Sequence, residues 1–314
     1  MTTPPPALPP APEWEPEHEV TEEAAAALVG ARFPGLAGAP VEALATGWDN
    51  TVFLVGGEWA FRFPRRRIAV PGVEREIAVL PAIAPRLPLP IPEPCFTAGP
   101  SEEFPWPFWG ARMIPGRELA EVRPPDEERA ALAEGVGAFL RALHDPALAA
   151  EAGEGLPLDP MKRADPAVRA ARTHPRLDSL VRLGVWERDA AVMDLLAGAR
   201  RRDAPDGGPV IVHGDLHVRH LLLDRDGRAA GVIDWGDLCR ADPAVDLSIA
   251  YAAFAGPARA ALLAAYGPVP PEREAAARVL ALNLSATLAE WAASTGRAAL
   301  LAEALAGIGR AVAD

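Results

Sequence analysis

Two carboxylates, Asp215 and Asp234, each follow a short apolar run of the chain. Residues 209–212, PVIV, lead into His213-Gly214-Asp215, where a glycine permits the sharp turn that presents Asp215. Residues 231–234, GVID, end at Asp234. We predict that both runs are strands, and that their adjacent ends bring the two carboxylates together. Such a pair suits phosphoryl transfer, in which one carboxylate accepts a hydroxyl proton and the other holds Mg²⁺ on the phosphates.

Histidines surround Asp215 and leave a second interpretation open. His213, His217 and His220 together with Asp215 form a candidate zinc site of a hydrolase, in which the metal would activate water. That interpretation gives Asp234 no role. We expect instead that His213 shapes the loop by hydrogen bonding to the backbone and that His217 supports Asp215.

The front of the chain has the pattern of a β-sheet. Residues 50–55, NTVFLV, and 58–63, EWAFRF, flank Gly56-Gly57, which predicts a hairpin with Arg62 on the face opposite the aromatic residues. A helix is predicted over residues 72–84, which contains Glu76 and which Pro81 should end or kink. A further strand is predicted over 108–114, and the Pro115-Gly116 break that follows it is the predicted lobe boundary.

The remainder of the chain is mostly helical in pattern, which predicts an α+β fold. A helix with acidic first-turn residues is predicted from about residue 20 to 28. Further helices are predicted over residues 126–143, 183–200, 244–254, 257–265 and 271–312. In the stretch Asp242-Pro243-Ala244-Val245-Asp246, we expect Asp246 to cap the next helix and to support the catalytic loop.

Composition restricts the kinds of partner. The formal net charge of −12 opposes binding to nucleic acid and is compatible with cationic ligands. No run of 18 apolar residues indicates a membrane span, and two cysteines are too few for a disulfide framework, so we expect a cytoplasmic protein. Residues 1–19 are rich in proline and are expected to form a flexible tail.

The segment 211–237 resembles the catalytic segment of the aminoglycoside phosphotransferase family. The resemblance is carried by His213-Gly214-Asp215-Leu216-His217, by His220, and by Ile233-Asp234-Trp235. It implies a protein-kinase-like bilobal fold, with a nucleotide-binding lobe over 20–114 and a catalytic, substrate-binding lobe over 115–314. It also implies that Asp215 is the catalytic residue and that Asp234 and His220 bind Mg²⁺. His220 stands where the family usually has Asn. The macrolide phosphotransferase branch also has a His at this position.

The resemblance extends to the front lobe, where the nucleotide is expected to bind. It implies that Arg62 holds the phosphates, with Glu76 as its partner, and that Trp48, Asn50 and Met113 contribute to the same cofactor site. Arg62 replaces the more usual Lys, and a planar guanidinium is not equivalent to a compact ammonium.

The predicted function is therefore transfer of the γ-phosphate of ATP or GTP to a hydroxyl of a small molecule. The family resemblance implies an aminoglycoside, a macrolide or a related metabolite as the acceptor. If the acceptor is an antibiotic, the resemblance also implies a role in resistance. The alternatives are a catalytically inert nucleotide-binding protein of the same fold and, less favoured, the metal-dependent hydrolase.

Overall fold

The computed structural model describes residues 16–47, 49–200 and 208–314. Trp48 and most of the predicted proline-rich tail therefore lie outside the described residues. The chain forms two compact units, the first comprising residues up to Ile77 together with Glu93–Met113, and the second comprising Ala78–Pro92 together with Ile114–Asp314. Residues 78–92 thus belong with the second unit, although they precede the end of the first in sequence. The roles predicted for the two lobes remain predictions.

The first unit contains a five-stranded antiparallel sheet in the order β1-β2-β3-β5-β4. Its strands are β1 Val41–Thr46, β2 Asn50–Val55, β3 Trp59–Pro64, β4 Phe96–Ala98 and β5 Phe108–Arg112. The helix α1, Glu22–Arg32, starts at Thr21, whose hydroxyl accepts the N–H of Ala24 at 3.2 Å. The predicted first helix is confirmed, and it extends four residues further.

The hairpin of β2 and β3 forms as predicted, but its loop has three residues, Gly56, Gly57 and Glu58, instead of two, because Val55 pairs with Trp59. Gly56 and Gly57 take φ angles of +62° and +70°, which favour glycine. Phe61 and Phe63 are fully buried, whereas Arg62 pairs with Val52 on one side and with Trp109 of β5 on the other. The aromatic face therefore packs into the core of the unit, and Arg62 occupies the opposite face, as alternation predicts.

The helix α2, Val70–Ile83, continues through Pro81. Of the two predicted effects of Pro81, an end or a kink, the end is wrong, because the helix continues for two residues beyond it. Proline removes one backbone donor and crowds the preceding turn, but here only Ala82 and Ile83 follow it, so a single hydrogen bond near the helix end is affected. Glu76 lies in the middle of α2 and is 1% exposed.

The second unit is mainly helical. Its helices are α3 Leu119–Val122, α4 Ala130–Leu143, α5 Pro146–Ala152, α6 Pro166–Arg182, α7 Ala190–Gly198, α8 Ala244–Ala252, α9 Gly256–Tyr266, α10 Pro271–Thr295 and α11 Ala298–Val312. Its strands are β6 Arg117–Glu118, β7 Val210–Val212, β8 Leu221–Leu223, β9 Ala229–Val232 and β10 Cys239–Ala241. A sheet-rich first unit and a helical second unit confirm the α+β class. Among the described residues, no helix combines the length and the hydropathy needed to cross a membrane.

The strands that lead to the two carboxylates belong to different small sheets. The strand β7, before Asp215, pairs with β10, whereas β9, before Asp234, pairs with β8, which also pairs with β6. The two strands are therefore not partners in one sheet, although their ends still lie close together, because His213, after β7, is hydrogen-bonded to the carbonyl of Ile233, after β9. Short strands of three or four residues do not specify their partners by pattern alone, because any apolar run of that length fits several neighbours.

Two predicted helices have different boundaries. The predicted helix over 183–200 begins only at Ala190, where the Asp189 carboxylate accepts the N–H of Ala191 at 2.8 Å. The long stretch 271–312 forms two helices, because Gly296 adopts a left-handed φ of +70° and ends α10. The arginine-rich helix α6 was not predicted.

Candidate active site

Asp215 follows a turn that only glycine can make. Gly214 has a φ of +90°, and a Cβ atom placed on it would lie 2.3 Å from the carbonyl oxygen of Asp237. The backbone after β7 therefore passes directly against the backbone that follows β9. This close approach brings Asp215 beside the Asp234–Asp237 segment although their strands lie in separate sheets.

Asp246 supports the turn from beneath. Its carboxylate is fully buried and accepts the N–H of His213 at 2.7 Å and the N–H of Gly214 at 3.0 Å. His144 Nε2 lies 3.3 Å from the same carboxylate. Burial opposes ionisation, but the His144 hydrogen bond and the loop N–H groups lower the pKa of Asp246 below its usual range. The Asp246 carboxylate is therefore ionised and holds the catalytic loop in place.

Asp246 does not cap helix α8, so that part of the prediction is wrong. The helix starts at Ala244, and its first free N–H bonds to Asp242, whose carboxylate accepts it at 2.7 Å. Asp246 is the third residue of the helix, within its first turn, and its carboxylate accepts N–H groups of the catalytic loop rather than those at the helix start. The predicted support of the catalytic loop is what the geometry shows.

His213 uses both ring nitrogens inside the protein. Nε2 must donate to the carbonyl of Ile233 at 2.9 Å, and Nδ1 accepts the N–H of Asp215 at 3.2 Å. Burial lowers the pKa of His213 to about 4, so the ring is neutral. The neutral His213 ring therefore connects the carbonyl of Ile233 with the N–H of Asp215. Neither of its nitrogens has a lone pair left for a metal.

His217 is a buried neutral ring that faces Asp215. Its Nδ1 accepts the N–H of Arg219 at 3.3 Å, which puts the proton on Nε2, 3.7 Å from Asp215 Oδ2. Burial holds the pKa of His217 well below its ordinary value. The donor atoms of Asp215, His217 and His220 lie within 4.8 Å of one another, as a metal site requires. In this tautomer, however, His217 directs an N–H, and not a lone pair, toward Asp215 and His220.

His220 presents its free nitrogen to Asp234. Nδ1 donates to the carbonyl oxygen of Asp215 at 2.8 Å, so Nε2 carries the lone pair and lies 3.4 Å from Asp234 Oδ2. A nitrogen acceptor and a carboxylate oxygen that face each other form a cation-binding pair. Asp234 has a φ of +66°, a strained conformation for a residue with a side chain, and such strain is concentrated at functional sites. These residues fit a divalent metal ion.

The Asp215 carboxylate is flanked by cationic and neutral donors. Its Oδ1 lies 3.7 Å from the Arg163 guanidinium, and its side chain is 26% exposed, which keeps it accessible to a substrate. Burial raises the pKa of Asp215 to about 6, against the lowering effect of Arg163 and His220. Sequence analysis missed Arg163, because it lies 52 positions before Asp215 in a loop without a motif.

In the first unit, Arg62 and Glu76 lie together. Arg62 Nε is 3.4 Å from Glu76 Oε2, and the indole N–H of Trp109 donates to the same oxygen at 3.1 Å. The contact of Trp109 with Glu76 was not predicted from the sequence. The signal for it is the sheet register, which puts Trp109 directly opposite Arg62.

Two other predicted cofactor residues, Asn50 and Met113, lie at the ends of strands of the same sheet. Asn50 is the first residue of β2, and its carbonyl accepts the N–H of Gly47 at 2.9 Å. Met113 follows β5 and donates its N–H to the carbonyl of Glu58 at 2.9 Å. Trp48 lies outside the described residues. Their proposed role toward a nucleotide remains a prediction.

Comparison with solved structures shows the fold. Aminoglycoside 2'-phosphotransferase-IIIa in its GDP complex is 20% identical, with a TM-score of 0.63, over 93% of this chain and 99% of that chain. Macrolide 2'-phosphotransferase type I is 24% identical, with a TM-score of 0.56, over 92% and 98%. Macrolide 2'-phosphotransferase MphH from Brachybacterium faecium is 24% identical, with a TM-score of 0.57, over 91% and 98%. The predicted kinase-like fold is confirmed.

Comparison at the level of sequence identifies the family. Uncharacterized protein YcbJ of Bacillus subtilis (strain 168) is 41% identical over 56 residues, so the match spans only 18% of the length of that curated relative. The family model described as the phosphotransferase enzyme family matches residues 40–280, which include Arg62 and Glu76 of the first unit and the catalytic loop of the second. The chain therefore belongs to the phosphotransferase enzyme family.

Proposed function

We propose that the protein transfers the γ-phosphoryl group of a nucleoside triphosphate to a hydroxyl group of a small molecule. The observation that carries this proposal is the geometry of the catalytic loop. One carboxylate, Asp215, is accessible at a glycine turn, and the same loop supplies His220, whose free nitrogen faces Asp234. Family membership and solved relatives whose names describe aminoglycoside and macrolide phosphotransferases support the reaction class.

Asp215 has the role of base for the acceptor. Its carboxylate accepts the proton of the substrate hydroxyl as that oxygen attacks the γ-phosphorus, and the nucleoside diphosphate leaves. His217 and Arg163 flank the two carboxylate oxygens at 3.7 Å each, which is longer than a hydrogen bond. Both oxygens therefore retain lone pairs for an incoming hydroxyl.

Asp234 and His220 are proposed to hold Mg²⁺. When bound, the ion would neutralise charge on the phosphates of the donor. The hydrogen bond from His220 Nδ1 to the Asp215 carbonyl orients the ring so that Nε2 faces Asp234 as the proposed metal ligand. The same hydrogen bond ties the proposed metal ligand to the backbone of the proposed base.

Arg62 is proposed to bind the donor phosphates, with Glu76 and Trp109 setting its position. An ATP or GTP donor is supported by a relative solved with GDP and another solved with ATP. We also propose that the reaction takes place in the cytoplasm, where nucleotides are available. Cys95 and Cys239 are both unpaired, as a reducing compartment favours.

The zinc hydrolase interpretation is weakened by the tautomers. Of the histidines it needs as ligands, His213 has both nitrogens in hydrogen bonds and His217 directs a proton at Asp215. Only His220 presents a lone pair. The inert-protein interpretation has no structural support from the site, because Asp215, Asp234 and Asp246 are all in place around an intact loop.

The proposal is tested with a panel of hydroxyl compounds that includes aminoglycosides and macrolides, each with γ-labelled ATP and GTP. We expect transfer of label that requires Mg²⁺ and that falls by about 10³-fold in Asp215→Asn, because the amide keeps the shape and loses the base. Asp226→Asn, at an exposed turn of the same segment, is the matched control. Transfer that is equal in Asp215→Asn and wild type would refute the assignment.

A further inference from the structure

The loop between α5 and α6 sends one side chain, Arg163, into the active site. Its guanidinium donates to the carbonyl oxygen of Gly214 at 2.7 Å and to Asp237 Oδ2 at 2.8 Å. The same NH2 group lies 3.7 Å from Asp215 Oδ1. One planar group therefore contacts the turn before the proposed base, the base itself, and the segment that follows Asp234.

The loop that carries Arg163 is held in a single shape at a cost in backbone strain. Asp159 and Lys162 have φ angles of +31° and +50°, both unfavourable for residues with side chains. The Asp159 carboxylate accepts the N–H of Arg163 at 2.7 Å and the N–H of Ala164 at 2.8 Å. This Asp159 anchor compensates for the strain and fixes the starting point of the Arg163 side chain.

The same loop is also tied to the small sheet of the active site. The N–H of Asp159 donates to the carbonyl of Arg240 at 2.9 Å, and the N–H of Arg240 donates to the carbonyl of Pro157 at 2.9 Å. Arg240 lies in β10, the partner of β7, which leads to Asp215. The loop that carries Arg163 is thus hydrogen-bonded to β10, so the Arg163 side chain starts from a fixed backbone position next to β7 and β10.

We propose that Arg163 is a positioning residue that sets the distance between Asp215 and the Asp234–Asp237 segment. Its two donor groups bridge Gly214 and Asp237, whose backbones already touch, and a guanidinium fork holds two acceptors in a fixed plane. Its positive charge lies between the carboxylates of Asp215 and Asp237, which would otherwise repel each other. The inference rests on the proposed role of Asp215 as the base.

The variants Arg163→Ala and Arg163→Lys test this role. We expect Arg163→Ala to lower kcat for phosphotransfer by about 100-fold, the scale of an ångström-sized misplacement, with the nucleotide KM changed by less than about twofold. Arg163→Lys keeps the charge and loses the fork, and should lower kcat by about tenfold. Arg172→Ala removes an exposed positive charge from the neighbouring helix α6 and should leave kcat unchanged.

A double-mutant cycle with Asp237→Asn separates positioning from a general structural effect. If Arg163 acts through Asp237, the variant combining Arg163→Ala with Asp237→Asn should lose no more kcat than Arg163→Ala alone, within about threefold. Losses that multiply would overturn the proposal, as would an Arg163→Ala protein that keeps wild-type kcat. Should Arg163→Ala fail to fold, Arg163→Lys with Asp237→Asn completes the same cycle.

The outcome for Asp215→Asn distinguishes this inference from the proposed function. Loss of transfer in Asp215→Asn together with full activity in Arg163→Ala would remove the positioning role and leave the reaction class standing. Full transfer in Asp215→Asn would remove the proposed base, and the positioning role would fall with it.

Discussion

Replacement of Asp246 by Asn should destabilise the catalytic loop by a predictable amount. The carboxylate accepts His213 N–H and lies near His144 with Oδ2, and it accepts Gly214 N–H with Oδ1. An amide has a single acceptor oxygen. In its best orientation that oxygen replaces Oδ2, and the NH2 group then faces the N–H of Gly214 across 3.0 Å. One hydrogen bond to a charged group is lost, and two donors face each other in a buried site.

The expected cost is about 3 kcal/mol, because a hydrogen bond to a charged group is worth about 1.5–3 kcal/mol and an unsatisfied buried donor adds to it. For a chain of this size we expect the melting temperature to fall by about 6 °C. Gly214 precedes Asp215, so kcat for phosphotransfer should also fall by at least about tenfold. Asp242→Asn, a buried carboxylate that caps α8, should destabilise the protein but leave kcat within about twofold of wild type.

The difference between wild type and Asp246→Asn should depend on pH in one direction. The folded pKa of Asp246 is lowered, so its contribution to stability is fully present above the unfolded value, about 4. It is lost as pH falls through the still lower folded pKa. Thermal unfolding should therefore show a constant difference from pH 5 to 8 and a shrinking one below pH 4. An equal melting temperature for both proteins at pH 7 would refute this role of Asp246.

Two further predictions concern the metal and the nucleotide. His220→Asn should weaken apparent Mn²⁺ affinity by about tenfold and Mg²⁺ affinity less, because Mg²⁺ is the harder ion and gains less from an imidazole ligand. Metal titrations of activity measure both affinities, and an unchanged Mn²⁺ to Mg²⁺ ratio contradicts the prediction. Arg62→Ala should raise the nucleotide KM about tenfold or more, and Arg62→Lys should give a KM between that value and the wild-type value. Trp109→Phe, which removes the indole donor to Glu76, should raise the same KM about threefold. Steady-state kinetics with varied nucleotide test both predictions, and an unchanged KM in Arg62→Ala rules out the phosphate contact.

Sequence was informative where a local pattern fixes the local structure. The hairpin over β2 and β3 follows from its paired glycines and alternating aromatics, and these place Arg62 correctly. The histidine, glycine and aspartate around Asp215 also identify the catalytic turn, because a turn of this kind needs glycine at a specific position. These features depend on neighbouring residues only.

Features that depend on tertiary contacts were not predictable from pattern. The helix α6 contains Pro175 in its interior, a residue that normally breaks a helix, and its N-terminus is fixed by Asp165, which accepts two backbone N–H groups. Arg163 reaches Asp215 through a loop with left-handed residues other than glycine, which sequence does not reveal. The pairing of β7 with β10 skips the two strands between them in the chain, β8 and β9, which local pattern does not reveal.

In the proposed function, Asp215 acts as the base and Asp234 binds the metal ion. Equilibrium binding of Mg²⁺-nucleotide to Asp215→Asn and Asp234→Ala, measured by calorimetry alongside single-turnover transfer, tests it most directly. We predict that Asp215→Asn binds Mg²⁺-nucleotide within about threefold of wild type yet transfers phosphate about 10³-fold more slowly, whereas Asp234→Ala loses binding by about tenfold or more. Wild-type binding by Asp234→Ala, or wild-type transfer by Asp215→Asn, would contradict the account.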